Sequence, residues 1–333
     1  MLSFLRHAAH THPSLSLQRR RLLCQLGFFA LFLLAPALDL LRFDLTETQL
    51  WVLGQRWTLG LDALRAGTRS APEVAAGLFW RALLPALVLV AAFLAVAWRW
   101  GRLYCGWLCP HFSLVEGLNA VLRRACGRLS LWERPSAADA ARADARWWPV
   151  FGLLCLGFGF VWAFTLLSYL LPPARLWAHL LAGQLTLGEA RFLGVATVVF
   201  TLEFALARHL FCRFGCAVGL FQSLVWMANP RGMVVAFRRE RARDCRGCHT
   251  AAAPAGSACD VGCPLRLHPR HLKRMMFACV QCGRCLSACQ TSQARHGQPP
   301  LLTWQVDADA VRETLRQRRE ALAHSPPPSQ EPH

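Results

Sequence analysis

Cysteines dominate the chemistry that this sequence could perform. Fifteen occur in 333 residues, and eight of them lie between Cys245 and Cys289. The last four of the eight are spaced C-x2-C-x2-C-x3-C, the arrangement that holds iron–sulfur clusters in bacterial proteins. They are Cys279, Cys282, Cys285 and Cys289. Three thiolates in one tight loop can each bind a different iron of one cube, while the fourth points towards a second cube. The spacing therefore predicts 4Fe-4S clusters in this segment.

The four cysteines upstream complete the ligand sets. They are spaced C-x2-C, ten residues, then C-x3-C-P, at Cys245, Cys248, Cys259 and Cys263. With the exchange of fourth ligands found in two-cluster ferredoxins, the eight thiolates divide into two sets with none left over. The predicted ligands of the first cluster are Cys245, Cys248, Cys259 and Cys289. Those of the second cluster are Cys279, Cys282, Cys285 and Cys263.

Three features leave other uses of these thiolates open. The ten residues from His249 to Ala258 stand where the ferredoxin spacing has two, although a longer loop closes on a cluster at a modest entropic cost. Two sets of four thiolates could instead bind zinc, and disulfides are an alternative outside a reducing compartment. The run Cys245-Arg-Gly-Cys248-His249 also fits C-x-x-C-H, the attachment signal of c-type haem.

Two more pairs of cysteines, each spaced C-x3-C, follow apolar stretches of the chain. They are Cys105 with Cys109, which precedes Pro110, and Cys212 with Cys216. Residues four apart share one face of a helix, and soft thiolates select Cu(I), zinc or an iron–sulfur cluster. Cysteines also pack helix ends as small apolar side chains. We interpret the four residues as a candidate copper or redox-thiol site at one membrane boundary.

The apolar stretches beside these pairs are long enough to cross a bilayer. Hydrophobic residues make up 54% of the chain and charged residues 17%, against about 25% charged in soluble domains. A spanning helix needs roughly 17 to 25 apolar residues, and tryptophans flank several of the stretches, as in the aromatic belts of membrane proteins. We predict four transmembrane helices, at Leu22 to Leu38, Ala82 to Trp98, Trp147 to Leu171 and Phe192 to Ala207.

The net charge of +18 comes almost wholly from arginine, and Lys273 is the sole lysine. Such a surplus is compatible with nucleic acid, but arginines beside apolar stretches also fix which side of a bilayer a loop faces. We therefore predict a lipid bilayer and no nucleic acid as partner, with both termini and the cysteine-rich segment in the cytoplasm. Arg19 to Arg21 before the first apolar run also fit a signal peptide, whose cleavage leaves this orientation unchanged.

The residues around the first C-x3-C pair resemble a known family. The run Gly101-Arg-Leu-Tyr-Cys105-Gly-Trp-Leu-Cys109-Pro110 is similar to the signature of membrane polyferredoxins of the CcoG/FixG/RdxA type and their NapH-type relatives. The second pair, with Phe221-Gln222-Ser223 after it, resembles the corresponding CcoG-type stretch, although Ala217 stands where that family has proline. The resemblance continues through the ferredoxin segment to about Trp304. We expect the chain to lack the family's C-terminal immunoglobulin-like domain.

The resemblance implies an electron-transfer protein of the bacterial inner membrane, with two 4Fe-4S clusters facing the cytoplasm. For the CcoG branch it further implies copper reduction during assembly of cbb-type cytochrome oxidase. The wide spacing before Cys259 departs from the family's ferredoxin loop. We therefore expect electron transfer in general, with the copper role as an alternative.

Together these patterns predict a mainly α-helical, polytopic membrane protein with a bacterial two-cluster ferredoxin-like domain. Its expected parts are an N-terminal tail at 1–21, a transmembrane domain at 22–230, the ferredoxin-like domain at 231–304 and a polar tail at 305–333. The predicted function is the relay of single electrons to the membrane-boundary cysteines, with donor and acceptor proteins or quinone as partners. The alternatives are a copper-reducing assembly factor for a terminal oxidase and a redox-sensing subunit without turnover.

Overall fold

The computed structural model describes residues 14–58, 64, 66–128, 130–132, 142–248, 257–271 and 273–323. Most of these residues are helical, which confirms the predicted fold class. The chain forms two compact units. The helical unit comprises Cys24–Leu94 and Leu108–Phe211, and the cysteine-rich unit comprises Met1–Leu23, Ala95–Trp107 and Cys212–His333. The boundaries expected at residues 21, 230 and 304 stay predictions.

Helices account for most of the described chain, and the strands are short. The helices are α1 (Ser14–Leu34), α2 (Ala71–Trp100), α3 (Leu103–Trp107), α4 (Pro110–Cys126), α5 (Trp147–Ser168), α6 (Pro173–Leu181), α7 (Leu187–Leu202), α8 (Ala217–Ala228), α9 (Ala258–Val261), α10 (Arg284–Ala294) and α11 (Ala308–Ala323). The strands are β1 (Leu41–Asp44), β2 (Gln49–Val52), β3 (Gln55–Trp57), β4 (Val234–Phe237) and β5 (Leu302–Gln305). Strands β1 to β3 form an antiparallel meander, and β4 pairs antiparallel with β5.

Three helical stretches are long and apolar enough to cross a membrane, namely Ala71–Trp100, Trp147–Ser168 and Leu187–Ala228. They contain or closely match the second, third and fourth predicted spans. The first predicted span lies in α1, which ends at Leu34 and includes Arg19, Arg20 and Arg21. Its apolar part after these arginines is about 13 residues, or about 20 Å at 1.5 Å per residue, against roughly 30 Å for a bilayer core. The described residues therefore contain one candidate span fewer than the sequence predicts.

Close helix contacts hold the helical unit together. A Cβ atom on Gly159 of α5 would lie 2.5 Å from Thr201 Oγ1 and 3.1 Å from the carbonyl oxygen of Thr197, both on α7. Small residues allow membrane helices to approach in this way. The end of α1 packs on α5 as well, because the rings of Phe32 and Trp162 are 4.9 Å apart. The apolar half of α1 thus belongs to the same bundle as the third candidate span.

Ionisable side chains inside this bundle have polar partners, as their burial requires. His111 Nε2 lies 2.8 Å from Glu203 Oε2. Arg208 Nε donates to Asn119 Oδ1 at 3.0 Å, and its Nη1 donates to the carbonyl oxygen of Phe204 at 3.0 Å. The stretch between α7 and α8 contains π-helical turns at Glu203–Ala207 and Phe211–Gly215. Such turns leave carbonyl groups available for side chains.

The cysteine-rich unit has a small apolar core built on one β-ribbon. Val234 pairs with Gln305, and Phe237 pairs with Leu302. The core contains apolar side chains of this ribbon together with cysteines, namely Val235, Phe237, Leu301, Leu302, Cys259, Cys285 and Cys289. Cysteines form a large part of this core, and groups bound by such residues contribute to the order of a small domain.

The contact between α5 and α7 gives a first test. Replacing Gly159 by leucine places a side chain where Thr201 and the α7 backbone already lie. We expect this overpacking to lower the free energy of unfolding by about 1–3 kcal/mol, measured as a lower thermal midpoint in detergent. Gly157→Leu is the matched control, because a Cβ atom at Gly157 meets nothing within 4 Å. Equal midpoints for the two variants would contradict the close packing.

Candidate iron–sulfur centre

A sharp turn positions the loop that carries Cys279, Cys282 and Cys285. Gln281 and Gly283 have φ angles of +53° and +69°, and Gly283 immediately precedes α10. A Cβ atom on Gly283 would lie 2.9 Å from Leu17 Cδ2 and 3.0 Å from the ring of Trp304. Glycine is therefore required there both for the backbone conformation and for space. Cys285 and Cys289 then lie one turn apart on α10.

Four cysteines of this unit line one apolar cavity. They are the predicted ligands of the second cluster, Cys263, Cys279, Cys282 and Cys285. Burial raises the pKa of Cys279 to about 12 and that of Cys263 to about 11, and the charge of the neighbouring Cys282 adds to both. Burial also raises the pKa of Cys285, with further contributions from Cys282, Cys279 and Cys263. The four thiols are thus close enough to interact electrostatically.

The other four cysteines also lie within electrostatic range of one another. Burial raises the pKa of Cys245, and the charges of Cys248 and Cys289 add to it. Burial raises the pKa of Cys259 to about 11, with a smaller contribution from Cys289. The structure thus brings together the four residues predicted to bind the first cluster. The two sets are adjacent, because Cys259 also contributes to the raised pKa of Cys285.

Hydrogen-bond donors surround the sulfur atoms in both sets. Leu267 N donates to Cys263 Sγ at 3.3 Å, Leu301 N to Cys289 Sγ at 3.4 Å, and Ser292 Oγ to Cys248 Sγ at 3.1 Å. The charge of Arg270 lowers the pKa of Cys245 and of Cys259 against the larger effect of burial. Hydrogen bonds and charges near cluster sulfurs are main determinants of reduction potential.

These donor sets fit four-iron clusters. In the part of the chain that the structure describes, no three or more His, Cys, Asp or Glu side chains are grouped so as to hold a metal ion. A cube binds each thiolate through a different iron, so its ligands lie further apart than those of a single ion. Four thiols line one apolar cavity and no carboxylate is among the residues that line it, which is the ligand chemistry of an iron–sulfur cluster.

Cys259 lies within electrostatic range of Cys289, another member of the first set, although ten residues separate it from Cys248. Cys259 is buried at the start of α9, and its sulfur lies 3.0 Å from Ser257 Oγ. Residues 249–256 of the insert lie outside the described residues, as does the histidine of the C-x-x-C-H pattern.

One cysteine from each C-x3-C pair, Cys105 and Cys216, lies within electrostatic range of the other. Cys105 lies in α3, and Cys216 immediately precedes α8. Burial raises the pKa of Cys105, the charge of Arg102 lowers it, and the charge of Cys216 raises it. Cys212 is buried in the same cysteine-rich unit. Cys109 belongs to the helical unit, where it precedes α4.

Several polar side chains beside the thiols were not predicted from the sequence. Arg102, Arg270 and Ser292 are examples, and only tertiary structure brings each of them to a cysteine. The sequence does contain one indication for Arg102, because a charged residue between the end of an apolar stretch and Cys105 is unusual enough to be a candidate. No spacing rule identifies the other two.

Comparison with known proteins supports iron–sulfur chemistry. Residues 82–128, which include Cys105 and Cys109, match the family described as a 4Fe-4S binding domain. The chain is 28% identical to Protein RdxA of Cereibacter sphaeroides over 220 residues, or 60% of this chain and 42% of RdxA. It is 23% identical over 215 residues to YccM of Escherichia coli, whose name describes an electron transport protein. That match covers 61% of this chain and 53% of YccM.

The chain resembles membrane polyferredoxins of the RdxA type. This confirms the resemblance predicted from the cysteine motifs, and it supports electron transfer by an iron–sulfur protein. The matched regions span about half the length of these two relatives. No solved structure matches the chain.

The contact of α3 with the cluster loop gives a second test. A Cβ atom on Gly106 would lie 2.0 Å from the carbonyl oxygen of Val280, which is between Cys279 and Cys282. In Gly106→Ala the loop must shift, so we expect iron and acid-labile sulfide per chain to fall, by about half for a chain with the two clusters that the cysteine spacing predicts. Gly117→Ala is the control, because a Cβ atom there meets nothing within 4 Å. Full iron retention in Gly106→Ala would contradict this close contact of α3 with the loop.

Proposed function

We propose that this chain is a membrane-anchored electron-transfer protein that relays single electrons through two 4Fe-4S clusters. The observation that carries the proposal is the arrangement of eight cysteines in two adjacent sets, one of them around an apolar cavity. The similarity to RdxA and to YccM supports the same function. A redox-sensing subunit would use the same clusters without turnover.

The chain's own residues hold the clusters, exclude water and set their potentials. Once bound, each cluster supplies one-electron chemistry. Helix α10 carries Cys285 of one set and Cys289 of the other, so a single rigid element fixes the spacing between the sets. Burial of the thiols keeps water from the sulfur atoms, and the donors from Leu267, Leu301 and Ser292 stabilise negative charge on them.

We further propose that the cysteine-rich unit faces the cytoplasm of a bacterial inner membrane. Gln18 Nε2 donates to the carbonyl oxygen of Cys282 at 3.3 Å, and Arg21 Nε donates to that of Gly106 at 2.7 Å. The arginine-rich start of α1 therefore packs within the cysteine-rich unit. Arginine-rich segments favour the cytoplasmic side, and a reducing compartment keeps thiols available for iron.

Removing one ligand from each set tests the two-cluster function. The unsubstituted chain is expected to hold about eight irons and eight sulfides. Cys263→Ala and Cys245→Ala should each reduce the iron to about four and remove a different signal from the EPR spectrum of the dithionite-reduced protein. Cys24→Ala is the control, since Cys24 is an exposed cysteine of α1 outside both sets. Zinc in place of iron, or unchanged iron in both ligand variants, would refute the proposal.

Copper handling is a second candidate, favoured by the interaction between Cys105 and Cys216. Two soft thiolates at a membrane boundary suit Cu(I), and Cu(II) arriving there needs one electron to become Cu(I). The partners in this role are a terminal oxidase or its assembly factors.

For a copper role we expect stoichiometric Cu(I) binding in an anaerobic titration of the full chain. Cys105→Ala and Cys216→Ala should each abolish that binding. Cys126→Ala, at the end of α4, should leave it unchanged because Cys126 lies in the helical unit. Absence of copper binding, with normal clusters, would leave electron relay and exclude copper handling.

A further inference from the structure

Arg102 is buried in the turn between α2 and α3, with 1% of its surface exposed. Its Nη2 donates to the carbonyl oxygen of Cys212 at 2.6 Å, and its Nη1 lies 3.5 Å from that of Ala278. Ala278 directly precedes Cys279, which lines the cavity of the second cysteine set. The guanidinium group therefore lies beside the backbone of both the boundary motif and the cluster loop.

The charge of Arg102 acts on thiols of both sites. It opposes the effect of burial on the pKa of Cys105, to which the side chain also hydrogen-bonds, and it opposes the same effect on Cys279. The contacts described for Arg102 are to carbonyl oxygens and thiols rather than to carboxylates. Among the described residues no carboxylate pairs with this guanidinium group, and its burial reduces the screening of its charge by water.

The absence of a side chain at Gly219 leaves space for the Arg102 guanidinium group. A Cβ atom on Gly219 of α8 would lie 2.0 Å from Arg102 Nη2 and 2.7 Å from its Cζ. Glycine at position 219 therefore lets the guanidinium group reach its place.

An arginine, Arg270, also lies near the first cysteine set, but it is paired with a carboxylate. Arg270 affects the thiols of Cys245 and Cys259, but its Nη2 lies 2.8 Å from Asp260 Oδ2. A paired carboxylate cancels much of the arginine's charge at a distance. The two cysteine sets therefore differ in the electrostatic field at their sulfur atoms.

We propose that Arg102 is a positioning residue for electron transfer, whose charge raises the reduction potential of the cluster held by Cys263, Cys279, Cys282 and Cys285. Added electrons are thereby favoured on the cluster beside Cys105 and the membrane boundary. The proposal rests on the two-cluster function, and it adds the residue that distinguishes one cluster from the other.

EPR-monitored potentiometric titration of the full chain in detergent tests this role. The signal missing in Cys263→Ala identifies the second cluster, and that missing in Cys245→Ala identifies the first. In Arg102→Gln, at the potential where the unsubstituted second cluster is half reduced, we expect its reduced-to-oxidised ratio to fall about tenfold, or about 59 mV for one electron. The first cluster should keep its potential.

Three further variants separate charge from structure. Arg102→Lys keeps the charge and should stay close to the unsubstituted potential. Arg99→Gln removes an arginine three positions earlier that pairs with Asp307 at 2.6 Å, and should shift neither cluster. Gly219→Ala forces the guanidinium group aside without removing it, and should lower the second potential even if Arg102→Gln fails to fold.

An unchanged reduction potential of the second cluster in Arg102→Gln would overturn the proposal. If Arg102→Gln does not fold, an unchanged potential of that cluster in Gly219→Ala would overturn it. Equal shifts of both clusters, or a shift in Arg102→Lys as large as in Arg102→Gln, would overturn it as well. A chain that holds no iron and sulfide at all would instead refute the two-cluster function.

Discussion

The burial of thiols that must be ionised to bind iron is the constraint on which the rest of the structure depends. Burial is the largest cause of a raised pKa, which reaches about 12 for Cys279 and about 11 for Cys259 and Cys263. Neighbouring thiols oppose ionisation further. Positively charged iron reverses this balance, so cluster binding and proton release are coupled. The small apolar core of the cysteine-rich unit leaves much of its order to that binding.

Distant segments of the chain meet at the loop that carries Cys279 and Cys282. Trp107 Nε1 donates to the carbonyl oxygen of Gln281 at 3.0 Å. Gly106 lets α3 approach the same loop, and Arg21 from α1 binds the Gly106 carbonyl oxygen at 2.7 Å. The segment Ala95–Trp107, which includes the end of α2, belongs to the same unit as this loop. These contacts hold the loop from segments that are far apart in the sequence.

The sequence was most informative where spacing determines chemistry locally. The C-x2-C-x2-C-x3-C run fixed which cysteines share a loop, and the length of apolar runs identified three stretches that the structure retains as candidate spans. It was less informative where tertiary structure decides. Cys105 and Cys216 belong to different motifs, and helix periodicity does not show that they lie within electrostatic range of each other. Arg19 to Arg21 belong to the same helix as the first apolar run, which hydropathy alone treats as a separate span.

The match to the 4Fe-4S family covers residues 82–128, which end well before the Cys279 loop. That region comprises the last part of α2 and the whole of α3 and α4. It contains Arg102, Cys105 and Gly106, three residues through which the structure connects the boundary motif to the cluster loop. The resemblance therefore lies in the segment that links a membrane span to an iron–sulfur unit.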